Sequence, residues 1–76
     1  YLPFEFMLNA LRLREGFPLS LFAERTGMPP SRIQAALQQA EARGWITRDL
    51  NQVRPTERGF DFLSDLQALF LPDDER

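Results

Sequence analysis

The sequence predicts a mainly α fold with a small β-hairpin, a winged-helix-like α+β arrangement in the order helix, helix, helix, hairpin, helix. Three observations carry this reading. Apolar residues recur at helical spacing in four separate segments. Glycine or proline stands at the end of each segment. Between the third and fourth segments the period changes to a short aromatic and β-branched run, Trp45-Ile46-Thr47, followed by turn-forming residues.

The first helix is predicted from about Phe4 to Leu13. Phe4, Met7, Leu8 and Leu11 fall at i, i+3, i+4 and i+7, and Phe6, Ala10 and Leu13 widen that stripe. Gly16 is placed as its C-cap, with Arg12 and Arg14 well disposed toward the helix dipole. Pro18 fits the first turn of a second helix, where its missing N–H costs little. That helix spans about Leu19 to Thr26, with Leu19, Phe22 and Ala23 inward and Gly27 ending it. After Met28-Pro29-Pro30, Ser31 has the hydroxyl of an N-cap. The third helix then spans about Arg32 to Arg43, with Ile33, Ala36, Leu37 and Ala40 inward and Gly44 as a left-handed C-cap.

Strands are predicted at Trp45–Thr47 and Val53–Thr56, around the polar turn Asp49-Leu50-Asn51-Gln52. Such a hairpin is too short to stand alone and must lean on the helices. Thr56 is an N-cap for a last helix from Glu57 to Leu71, ended by Pro72. The apolar set of that helix is wider than one stripe, so it should pack on more than one partner, the first helix among them. Residues 1–71 then form one domain and residues 72–76 an acidic tail. The aromatics Phe4, Phe6, Trp45, Phe60, Phe62 and Phe70 are assigned to the core, Trp45 as a plug between helix three and the hairpin.

Composition bounds the chemistry. The 76 residues hold no cysteine and no histidine, which removes thiol nucleophiles, thiolate or imidazole metal ligands and histidine acid/base work from this chain. Met7, Met28 and Tyr1 are the remaining side chains with any precedent as haem ligands. The lack of disulfides fits a cytoplasmic setting, and no apolar run is long enough to span a bilayer. The chain starts Tyr1-Leu2-Pro3-Phe4 without an initiator Met and closes on Asp73-Asp74-Glu75-Arg76, as expected for the last domain of a longer protein.

Helix-turn-helix order raises the possibility of a DNA reader. Its third helix would offer Arg32, Gln34, Ala35, Gln38, Gln39, Glu41 and Arg43 to the major groove. The net charge of −2, nine arginines without a lysine, and a wing turn that pairs Arg48 with Asp49 weigh against nucleic acid. Asp61 and Asp65, four apart, read as solvated surface rather than a catalytic pair. An interdomain packing module is a third reading, since helices one and four hold more apolar residues than one core stripe needs.

The residues also carry a resemblance. Glu5, Asn9, Leu11-Arg12-Leu13 and Gly16 follow the pattern E-x-x-x-N-x-L-R-L-x-x-G. Thr26-Gly27, Ala42-Arg43-Gly44-Trp45-Ile46 and Thr56-Glu57-Arg58-Gly59, with Phe62-Leu63, Leu66 and Leu69-Phe70, continue the likeness over almost the whole chain. Together they resemble the C-terminal domain of the oxygen-independent coproporphyrinogen III oxidase family. The short tail after Leu69-Phe70-Leu71 is closer to the members similar to haem chaperones. The resemblance implies an accessory domain that covers the mouth of an N-terminal radical S-adenosylmethionine barrel in the same chain. The barrel of such a protein binds a [4Fe–4S] cluster and S-adenosylmethionine, while this segment binds no cofactor and has no catalytic residue. It would help hold a tetrapyrrole, and Arg12, Arg14, Arg32, Arg54 and Arg58 are the candidate partners for its carboxylates, because a guanidinium fork suits a propionate.

Overall fold

A computed structural model of the chain describes residues 2–49 and 51–71. It is mostly helical with a small three-stranded antiparallel sheet. The elements are α1 (Leu2–Ala10), β1 (Phe17–Pro18), α2 (Leu19–Thr26), a 3-10 turn (Pro30–Ile33), α3 (Gln34–Ala42), β2 (Ile46–Asp49), β3 (Gln52–Pro55), α4 (Glu57–Asp61) and α5 (Leu63–Ala68). The sheet order is β1-β3-β2. The expected tail 72–76 and the turn residue Leu50 lie outside the described residues.

The core follows the helical stripes closely. Met7 and Leu11, Phe22, then Ile33, Leu37 and Ala40 are buried, and Trp45, Ile46 and Val53 close the core from the sheet side. The inward face of α1 is rotated slightly from the expected one. Pro3, Met7 and Ala10 are its buried residues, whereas Phe4 and Leu8 are half-buried. Phe6 packs edge-on against both Phe17 and Phe22, with ring centroids 5.1 and 5.5 Å apart. This edge-to-face geometry suits the ring quadrupoles.

Four expectations are corrected. The first concerns the end of α1. Its α-helix stops at Ala10, and tighter bonds from the Arg12 and Leu13 amides to Asn9 and Ala10 carry the chain to Leu13. Gly16 is therefore not a helix cap. It has φ +77°, and a Cβ built there would run into the Val53 carbonyl oxygen. A side chain is excluded both by conformation and by space. That close approach delivers Phe17 and Pro18 to the sheet, where they pair with Val53 and Gln52. Pro18 thus lies in an extended edge strand before α2 (φ −77°, ψ 145°), not in the helix's first turn. An edge strand tolerates the missing donor.

Second, Ser31 does not cap a helix. Pro29 is extended and Pro30 opens the 3-10 turn, so Ser31 lies within that turn and its carbonyl accepts the Gln34 amide. Consecutive prolines fix the entry two residues earlier than a serine cap would. Third, the hairpin strands reach Asp49 and Gln52, which pair directly, so both predicted turn residues belong to the ladder.

Fourth, the last helix is two helices. At Phe62 the backbone leaves the helical region (φ −116°, ψ 38°), and α5 starts afresh at Leu63. The break resolves the over-wide apolar set. It turns the second segment so that Leu66 and Phe70 enter the core, and the Gln67 side-chain Nε2 donates to the Leu8 carbonyl at 3.3 Å. The last helical segment therefore packs on α1, as its width predicts. Phe62, expected in the core, is 43% exposed.

Thr56 ties the hairpin to α4. Its hydroxyl donates to the Gly44 carbonyl at 2.7 Å and accepts the Gly59 amide at 3.0 Å. Its own amide donates to the Trp45 carbonyl at 2.9 Å. Thr56→Val keeps the shape and removes both hydroxyl bonds. It is expected to lower stability by about 1–2 kcal/mol, read as a fall of the thermal midpoint, with Thr56→Ser close to the parent.

Candidate functional site

The candidate carboxylate-binding arginines come from four separate parts of the fold. Arg12 and Arg14 sit on the turns after α1, Arg32 in the 3-10 turn, Arg54 on β3 and Arg58 on α4, all exposed. The guanidinium of Arg14 lies 5.1 Å from the Phe60 ring centroid, and that of Arg58 lies 5.8 Å from the Phe62 centroid.

Arg58 also belongs to a cluster missing from the sequence reading. Trp45 and Phe62 stack with centroids 5.7 Å apart and planes 19° from parallel. Arg43, at the end of α3, lies 5.2 Å from the Trp45 ring. Two guanidinium groups thus contact one pair of stacked rings, each contact worth about 0.5–1 kcal/mol at an exposed site. The sequence assigns Arg43 to the helix dipole and Phe62 to the core. The i, i+4 spacing of Arg58 and Phe62 within the predicted last helix is the signal that could have paired them. Trp45 itself is 8% exposed, in keeping with its expected role between α3 and the hairpin.

The outer face of α3 is occupied from within. Arg48 on β2 donates to Glu41 at 3.1 Å and to Gln34 at 2.8 Å, so two side chains that a DNA reader would aim at bases instead brace the hairpin. Of the hairpin's two arginines, Arg48 is turned toward α3, while Arg54 on β3 is exposed.

The donor set does not fit an iron–sulfur cluster. There is no cysteine or histidine in the sequence, and no group of three or more acidic side chains converges among the described residues. Of the thioethers, Met7 is fully buried and Met28 is half-buried, while Tyr1 lies outside the described residues. Asp61 and Asp65 are both exposed, which leaves them as solvated carboxylates. Among the described residues, no helix is long and apolar enough to cross a membrane.

Five short α-helices and a 3-10 turn on a β1-β3-β2 sheet, with a threonine clasp at the start of α4, define a small, mostly helical domain class. The chain belongs to the HemN C-terminal domain family, whose model matches residues 2–62. Among curated proteins it is similar to the heme chaperone HemW of Escherichia coli (strain K12), 39% identical over 69 residues. It is also similar to the heme chaperone HemW of Haemophilus influenzae, 33% identical over 72 residues. These alignments cover 91% and 95% of this chain but 18% and 19% of the relatives, so the chain spans under a fifth of their length. No solved structure matches.

Proposed function

We propose that this chain is the winged-helix-like accessory domain of a cytoplasmic radical S-adenosylmethionine protein that handles a tetrapyrrole, as a haem chaperone or a coproporphyrinogen III oxidase-like protein. It spans residues 1–71, with 72–76 as its tail, and packs over the mouth of the N-terminal barrel. The observation that carries the reading is the 39% identity to the Escherichia coli heme chaperone across 91% of the chain. The cluster and S-adenosylmethionine are assigned to the barrel, because this segment has no thiolate to offer.

Within that role, exposed guanidinium groups meet the carboxylates of the tetrapyrrole. Arg12, Arg32 and Arg54 are exposed and make no ion pair among the described residues, whereas Arg14 and Arg58 already rest on aromatic rings. A charge-assisted bond to a carboxylate contributes about 1.5–3 kcal/mol. Titrating ferric haem into the full-length protein therefore tests the proposal. At least one of Arg12→Gln, Arg14→Gln, Arg32→Gln, Arg54→Gln and Arg58→Gln is expected to weaken binding about tenfold or more. Unchanged affinity in the fivefold variant would remove the arginines from the site.

A further inference from the structure

A groove opens between α1, β1 and α2. It encloses about 290 Å³ and is lined by Leu13, Phe17, Pro18 and Leu21, with Asn9 and Arg25 as its polar members. Phe17 is buried, yet Leu13 is 50% exposed and Pro18 is exposed, so an apolar surface faces solvent. The lining contains one guanidinium and no carboxylate. Arg25, in the last turn of α2, is exposed and makes no ion pair among the described residues.

Size and charge identify the occupant. Small-molecule sites run to about 300–1,000 Å³ and bury most of their ligand. At about 290 Å³ this groove lies at the lower limit of that range, too small for a tetrapyrrole macrocycle but sufficient for one or two side chains. An apolar slot with a cation at its edge is complementary to a bulky apolar side chain flanked by a carboxylate. The curated relatives are more than five times as long as the matched segment, so most of such a polypeptide lies outside this domain.

We infer that the groove docks an acidic–apolar segment from the remainder of the same polypeptide, with an apolar side chain against Leu13 and a carboxylate on Arg25. The inference rests on the proposal that this chain is one domain of a larger protein, and it names the face by which the two parts meet.

The test uses the full-length protein with a benzophenone-bearing amino acid in place of Leu13. Irradiation is expected to give an intramolecular cross-link, mapped by peptide mass spectrometry, to a segment outside residues 1–76 with Asp or Glu within about three residues of the attachment point. Arg25→Glu should cut the yield at least fivefold, while Gln38→Glu, on the exposed side of α3, should leave it unchanged. Cross-links between two copies, to added haem, or only within residues 1–76 would overturn the assignment. So would a yield indifferent to Arg25→Glu. The haem titration reads the arginines and the cross-link reads the groove, so the two proposals fail separately.

Discussion

Gly59→Ala is expected to lower stability by about 3 kcal/mol or more, a large effect for adding one methyl group. Gly59 lies in α4, where alanine is intrinsically the better helix former. Propensity is not what decides. A Cβ at this position would collide with the Trp45 carbonyl oxygen, and it would come 3.4 Å from a methyl of Leu66. The obstructing atom is backbone, and it already accepts the Thr56 amide. Relief therefore requires moving α4 away from the β2 entrance, which breaks the Thr56 clasp and unstacks Trp45 from Phe62. Overpacking of this kind costs about 1–3 kcal/mol, more where backbone must shift. For a domain of this length each kcal/mol moves the thermal midpoint by about 4–8 °C. Trp45 is the single tryptophan, so its fluorescence follows the melt directly. A midpoint within about 4 °C of the parent would show that α4 does not approach Trp45 as described.

Phe22→Ala is expected to destabilise the chain by about 3–5 kcal/mol. Phe22 is fully buried, and it receives the edge of Phe6 at 5.5 Å. The lost transfer free energy is compounded by a cavity between α1, α2 and the 3-10 turn. A domain this small has roughly 4–11 kcal/mol in total, so much of the variant should be unfolded at 37 °C. Circular dichroism in a urea series measures both quantities. Phe62→Ala gives the contrast. Its ring is 43% exposed, and its main contact is the stack on Trp45, worth about 0.5–1.5 kcal/mol. Equal losses for the two variants would return Phe62 to the core and contradict the break between α4 and α5.

Phe62 also marks where the sequence stops being sufficient. The stripes of the long, regularly spaced helices were legible, because Met7 and Leu11, or Ile33, Leu37 and Ala40, follow one period without interruption. The apolar set after Thr56 was visibly too wide for one helix. The remedy, a change of direction at Phe62, depends on where Trp45 lies in space. The third strand had no local signal. Two residues cannot display a period, and Phe17-Pro18 joins the sheet only because Gly16 allows the chain against Val53. Ser31 carried the right chemistry for a cap, but the two prolines before it fixed a different entry.

The candidate site divides along the same line. The threonine clasp was visible as Thr56 before Glu57, and the resemblance picked out Gly59 without a reason for it. The reason is the Trp45 carbonyl, a contact across 14 residues that no local pattern encodes. The arginines could be named but not ranked. Their partners, Phe60 for Arg14 and Phe62 for Arg58, come from other elements or from side-chain geometry. The groove beside Leu13 was hidden because Leu13 reads as part of a helical stripe until α1 stops at Ala10.

Removing residues 1–76 from the full-length protein, and then titrating it with ferric haem, tests most directly whether this domain serves a tetrapyrrole site. The account predicts at least a tenfold loss of haem affinity, with the absorbance of the iron–sulfur cluster proposed for the barrel retained. Undiminished haem binding by the truncated protein would contradict it.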